Sequence, residues 1–251
     1  MKSFPWKTMN LALKPTIFAL LGLGLFDLSP CALAADDDKS KSGSVVRNEN
    51  ATPPSVPSGE GWTRMFNGKD LSGWKQRNGW AVYRIDGDSI VGTTAKDSPN
   101  SFLCSDGEYS DFELRFEVKV DKALNSGVQI RSKSIEEKDR GRVHGPQIEI
   151  EGSPGESGYV YGESTGRNWI SPTQPVHEHL KNDEWNQYHV RAVGTRIQSW
   201  INGVLIEDMT DPQSFLSGFI GLQVHGIGKN EGPFEVRWRN IDIRKVSKPT
   251  R

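Results

Sequence analysis

Residues 187–207 read QYHVRAVGTRIQSWINGVLIE. Apolar and polar side chains alternate through 187–193, 196–201 and 204–207, and a period of two belongs to a strand. Asn202-Gly203 joins the last two runs. A type I′ turn needs positive φ at both central residues, and Asn-Gly tolerates it, so the join predicts a β-hairpin.

Outward from this stretch the same pattern recurs at 80–85, 88–94, 111–121, 126–132, 146–151, 218–225 and 234–245, broken by Gly, Asn, Asp and Pro. Asp86-Gly87 predicts a second hairpin. No window holds a helical period over about eleven residues. About ten short strands predict an all-β domain, a two-sheet antiparallel sandwich or a barrel, without an internal repeat. Residues 152–180, rich in Gly and Pro, read as a long loop, and a loop of that length in a compact domain is usually functional. Its Tyr159, Tyr161 and Trp169 can stack on sugar rings or close the edge of the sandwich.

The formal net charge is −1. With no clustered positive excess, neither nucleic acid nor an anionic membrane is indicated as a partner. Residues 1–34 read as a signal peptide. Lys2, Lys7 and Lys14 precede the apolar run Ile17 to Phe26, which is too short to span a bilayer, and Ala32-Leu33-Ala34 forms a small-x-small cleavage site. The expectation is export to the periplasm or beyond, with no stable membrane insertion after cleavage. Leu28-Ser29-Pro30-Cys31 resembles a lipobox, with Pro30 out of place, so an acylated Cys31 is the alternative. After cleavage Cys104 is the only cysteine and reads as a small buried apolar residue. Residues 35–58 are polar and Pro-rich and read as a disordered linker. The β domain is expected over 59–247. Nothing in the sequence indicates an oligomeric state.

Alternation also sorts side chains by face. Val128 and Ile130 oppose Gln129 and Arg131. Ile148 and Ile150 oppose Gln147, Glu149 and Glu151. Leu222 and Val224 oppose Gln223 and His225. Antiparallel sheets often have one solvated face, but such faces are mostly Lys, Glu, Thr and Ser. Gln, Arg, Glu and His instead suit directional hydrogen bonds to hydroxyls. His144, at the entrance to the Gln147 strand, can reach the same face. His177 and His179 form a His-x-His pair without a third ligand at a suitable spacing. His189, between Gln187 and Arg191, reads as structural.

Gly61-Trp62, Met65-Phe66-Asn67-Gly68-Lys69-Asp70-Leu71-Ser72-Gly73-Trp74, Asn125-Ser126-Gly127 with Arg131, Gln147-Ile148-Glu149, Tyr161-Gly162, Trp185-Asn186, Asn202-Gly203, Gly221-Leu222-Gln223 with His225, and Arg239-Asn240-Ile241 resemble, in order and spacing, the 3-keto-disaccharide hydrolase domain family. The resemblance covers about 60–246. It implies a concanavalin A-like jelly roll, export, and action on an oligosaccharide or glycoside whose sugar bears a 3-keto group. More locally, Gln147 to Glu151 resembles the Glu-x-Asp-x-Glu strand of laminarinase-type glycosidases, in which the first Glu is the nucleophile and the last the acid/base. Gln147 cannot form a glycosyl ester, which disfavours a retaining double displacement. Glu149 and Glu151, about 6.7 Å apart along the backbone, can still form an acid/base pair.

A 3-keto group acidifies the C2 proton, so the C1 substituent can leave by elimination, and added water then gives net hydrolysis. That chemistry needs a base, an enolate stabiliser and an acid. The expected base is His225 or Glu149, the stabiliser Arg131 or a divalent metal, and the anchors Gln147 and Gln223, with His144, Tyr161 and Trp169 as further substrate contacts. The competing expectation is a lectin-like module that binds glycans without cleaving them, since this fold serves both purposes.

Overall fold

The computed structural model describes residues 45–47 and 61–247. The 1–34 signal peptide expectation lies outside these residues. Among them there is no helix, and sixteen strands make two sheets. The first sheet has, in spatial order, β1 (Val46–Arg47), β14 (Val204–Thr210), β13 (Arg196–Ile201), β12 (Asn186–Val193), β7 (Phe112–Val120), β16 (Glu235–Lys245), β5 (Ser89–Thr93) and β4 (Val82–Asp86), with β2 (Thr63–Arg64) paired to β16. The second has β11 (Asn168–Trp169), β10 (Val160–Glu163), β9 (Arg142–Ile150), β8 (Ser126–Ile135), β15 (Phe219–Val224), β6 (Ser101–Ser105) and β3 (Trp74–Asn78). All pairings between these strands are antiparallel.

Each of the ten predicted strands is present. Asn202 and Gly203 have φ of 50° and 84°, as the hairpin requires. Two expectations need correction. Residues 152–180 are not loop throughout, because the β10–β11 hairpin forms the edge of the second sheet. Nor does the 35–58 linker lack packed structure everywhere: Val46 and Arg47 pair with Thr210 and Met209, and Arg47 Nη2 lies 3.0 Å from Glu207 Oε2.

Alternate residues from both sheets fill one core. Leu114, Phe116, Tyr188, Ile201 and Trp238 face Val128, Ile130, Ile148, Ile150, Leu222 and Val224. Phe116 stacks on Tyr188 at 5.1 Å between ring centroids. Each fully buried aliphatic side chain contributes about 1.5–3 kcal/mol. On the outer side of the second sheet, Phe102, Cys104, Val143 and Phe219 form a smaller cluster. Burial there pushes the Cys104 thiol up to about 12, so Cys104 is the inert apolar residue expected.

Arg131 breaks the alternation. Gln129 pairs with Gln147, but Lys133 pairs with His144, so β8 holds one extra residue against β9. The same shift appears against β15. A β-bulge re-aims the side chain it carries, and Arg131 sits within it at φ 49°. Its fully buried guanidinium donates to Ser110 O at 2.6 Å, Gly194 O at 2.6 Å and Asp111 Oδ1 at 3.1 Å. Those acceptors flank β7 and β12, so Arg131 ties the second sheet to the first. Removing one partner of a buried ion pair leaves the other uncompensated, at about 3–5 kcal/mol. Arg131→Met should lose about that much in urea unfolding. Arg131→Lys should recover only part, lacking the planar fork. Unchanged stability in both would refute the clamp.

Candidate functional site

Because Ile148 and Ile150 enter the core, Gln147 and Glu149 emerge on the outer face of the second sheet. Gln223 of β15 and Tyr161 of β10 emerge beside them, since Gln223 pairs with Gly127 and Tyr161 with Gln147. With Asn100, Asn125, Glu163, Trp169 and His225 they line a cleft of about 270 Å³.

Glu149 is the centre of the cleft. The residue is 5% exposed. Oε1 accepts a short hydrogen bond from Asn125 Nδ2, and Oε2 accepts from Gln147 Nε2 at 3.1 Å. Both bonds favour the charged form, yet burial outweighs them, helped by the nearby Glu151 and Glu163 carboxylates, and pushes the carboxyl up to about 8. Glu149 therefore holds its proton at neutral pH.

An amide chain orients Gln147. Ser132 Oγ donates to Gln129 Oε1 at 2.8 Å, and Gln129 Nε2 donates to Gln147 Oε1 at 3.0 Å. The amide nitrogen of Gln147 is thereby turned toward Glu149 and toward Gln223 Oε1, at 3.3 Å. Gln223 Nε2 approaches Glu163 Oε2 at 3.5 Å, and Asn100 Nδ2 donates to the same oxygen at 3.2 Å. His225 is exposed, and its Nδ1 lies 2.7 Å from Gly226 O. A carbonyl only accepts, so Nδ1 carries a hydrogen in this contact. Trp169 meets Tyr161 edge-on at 5.4 Å, giving the cleft an aromatic wall.

The structure brings together Gln147, Glu149, Tyr161, Trp169, Gln223 and His225. Three other expected residues lie elsewhere. Arg131 is the buried clamp described above and cannot stabilise an enolate in this cleft. Glu151 lies just past the end of β9, where its carboxyl accepts the Glu156 N–H in the following turn. His144 is three residues from Gln147, so alternation places it on the opposite side of β9, and it meets Phe215 edge-on at 5.4 Å in a separate cavity. Sequence patterning missed Asn100, Asn125 and Glu163 as site residues. Glu163 is two residues from Tyr161 and would have been found had 160–163 been read as a strand. Among the described residues no group of three or more His, Cys, Asp or Glu is placed to hold a metal ion, and no step below passes through one.

Gly127 opens the space for Gln147. It lies between Glu149 and Gln223 in the sheet, and a Cβ there would fall 2.4 Å from Cδ and Nε2 of Gln147. Gly127→Ala should displace that amide from Glu149. Losing a hydrogen bond to a charged acceptor costs about 1.5 kcal/mol, or about one pH unit. The Glu149 titration midpoint, followed by carboxyl NMR, should rise from about 8 by about that much. A midpoint unmoved or lowered would show that Gln147 keeps its contact.

The sequence profile of the 3-keto-alpha-glucoside-1,2-lyase-like domain matches residues 61–244. No functionally curated sequence is significantly similar to the chain. Among solved structures, a candidate glycosyl hydrolase from Parabacteroides distasonis is 22% identical, with a TM-score of 0.53 over 74% of this chain and 100% of that one. The carbohydrate-binding module CBM66 from Bacillus subtilis is 17% identical, with a TM-score of 0.51 over 70% of this chain and 98% of that one. A protein of unknown function with a galectin-like fold from Bacillus subtilis is 10% identical, with a TM-score of 0.54 over 73% of this chain and 94% of that one. At these identities the likeness concerns the fold, a jelly roll found among carbohydrate-related proteins. No helix among the described residues is long and apolar enough to cross a membrane. With the profile spanning nearly the whole β sandwich, the chain belongs to the 3-keto-alpha-glucoside-1,2-lyase-like domain family.

Proposed function

We propose that the cleft holds the keto sugar of a 3-keto-glycoside and cleaves its C1–O bond by elimination. The observation that carries this reading is the buried Glu149 carboxyl, pushed up to about 8, in one cleft with the His225 imidazole, whose Nδ1 is turned to the Gly226 carbonyl. His225 Nε2 removes the proton from C2, and the electron pair passes into the C3 carbonyl as an enolate. The enolate collapses to a C1=C2 double bond as the C1–O bond breaks. Glu149 gives its proton to the departing oxygen. The products are an unsaturated 3-keto sugar and an alcohol or second sugar. Hydration reverses these roles: ionised Glu149 takes a proton from water attacking C1, and protonated His225 returns one to C2. Both groups are then reset, and the net change is hydrolysis. Gln147 and Gln223 anchor hydroxyls, and Tyr161 and Trp169 cover a ring face. No carboxylate nucleophile is needed, which agrees with an amide at position 147.

With a 3-keto-α-glucoside, Glu149→Gln and His225→Ala should each lower kcat by about 10²-fold or more. Gln147→Ala should act mainly on KM. Glu149 works in its acid form, so turnover should fall as pH rises through about 8. Glu149→Gln should lack that limb. Full turnover in folded Glu149→Gln and His225→Ala would overturn the assignment. The amide-rich cleft also suits plain glycan binding, and tight binding without cleavage of either ordinary or 3-keto glycosides would favour a lectin-like module.

Export belongs to the same proposal. The protein recovered outside the cytoplasm should begin at Ala35 by N-terminal sequencing, whereas an acylated Cys31 as first residue would refute cleavage after Ala34.

A further inference from the structure

One carboxylate in the Glu149 cleft has no part in the elimination. Glu163 emerges from β10 on the same face as Tyr161, two residues before it. The residue is half-buried, and both of its oxygens are held. Oε2 accepts from Asn100 Nδ2 at 3.2 Å and from Gln223 Nε2 at 3.5 Å, and Oε1 accepts from Ser164 Oγ at 3.0 Å. All three partners are uncharged, and neither Lys nor Arg is among the residues that line the cleft. The cleft therefore carries a negative charge with no cation to offset it. That charge is felt as far as Glu149, whose hold on its proton it helps to strengthen.

Hydrogen bonds join the two carboxyl groups in one row. Gln147 Nε2 donates to Glu149 Oε2 and to Gln223 Oε1, and Gln223 Nε2 turns to Glu163 Oε2. Glu149 ends the row on one side and can donate a proton at neutral pH. Glu163 ends it on the other side and only accepts. An ionised carboxylate offers about four lone-pair sites. The protein fills three of them, which leaves about one for a ligand hydroxyl.

A pyranose ring laid along this row, with its C1–O bond at Glu149, turns its C4 and C5 substituents toward Glu163. A hydroxyl there can donate to the remaining lone pair. A carboxylate or phosphate there brings two like charges within about 6 Å, which at an effective dielectric constant of about 20 disfavours binding by tenfold or more. We propose that Glu163 is a specificity-determining residue, which accepts a hydroxyl from the side of the ring opposite C1 and rejects rings that carry an anion there, such as uronates and sugar 6-phosphates. The proposal rests on the keto-sugar site argued above and adds the charge class of its substrate, an uncharged pyranoside.

The test reads binding rather than turnover. The full chain is titrated near neutral pH with methyl α-glucopyranoside and, separately, with methyl α-glucopyranosiduronate, while the indole N–H resonance of Trp169 is followed by NMR. The glucoside should bind about tenfold or more tightly than the uronide, and high salt should narrow that gap. Glu163→Gln removes the charge and can keep the partners, because its amide oxygen can replace Oε2 and its amide nitrogen can donate to Ser164 Oγ. It should close most of the gap, strengthening uronide binding by about tenfold while weakening glucoside binding, since an amide oxygen is a poorer acceptor than a carboxylate. A protein that prefers the glucoside in this way but never cleaves 3-keto-glycosides would refute the elimination and leave the role of Glu163 intact. Equal binding of the two sugars by the unaltered protein would overturn the proposal. So would a preference that Glu163→Gln leaves unchanged, or a Trp169 signal that responds to neither sugar.

Discussion

Each strand delivers every second residue to one face, and a two-sheet sandwich can bury only one face of each sheet. From that constraint the position of the cleft follows. Once Val128, Ile148, Leu222 and Val224 are committed to the core, Gln147, Glu149 and Gln223 have no other place than the outer face of the second sheet. Once Phe116, Tyr188 and Ile201 are committed from the other side, Arg115, His189 and Trp200 emerge on the outer face of the first. The exception is informative. One inserted residue in β8 ends the alternation at Arg131 and converts a surface position into a bond between the sheets.

Glu149 shows what the outer face costs. A buried carboxyl loses solvation when charged, and two donors from Asn125 and Gln147 do not restore it. Its folded pKa of about 8 lies above the ordinary value of 4.5, so the folded state binds the proton more tightly. The stability linked to that proton is fully present below about 4.5 and is lost as pH rises through about 8, a swing on the order of a few kcal/mol. An apolar residue in its place would have no such dependence. A proton held at neutral pH is what the general acid of the proposed elimination would need.

Much of this was legible in residue patterns, and the failures have definite physical causes. Gln147, Glu149, Gln223 and His225 could be placed because their strands alternate without interruption. Arg131 could not, because a bulge changes parity and nothing in its composition announces one. Glu151 keeps the right parity but lies just beyond the last strand residue, where the chain turns across it. Glu163 was hidden because its short strand lies in a Gly- and Pro-rich stretch that reads as loop. His189, which reads as structural, is 5% exposed and stacks on Trp200 at 4.9 Å, a packing partner that strand alternation alone does not reveal.

The amide at position 147 connects the fold to the chemistry. A carboxylate there would lie beside Glu149 and raise its pKa further by like-charge repulsion, and it would offer a nucleophile to C1. Gln147 instead donates to Glu149 and receives from Gln129, so the cleft holds a protonated acid within a fixed amide array. Such an array suits a substrate that carries its own activation. On the proposed reading, a carbonyl at C3 provides the acidity at C2 that an ordinary glycoside lacks, and the protein need only remove one proton, deliver another and hold the ring. A nitrogen in place of a carboxylate oxygen at position 147 thus removes the nucleophile that displacement needs and is compatible with the elimination proposed for this cleft.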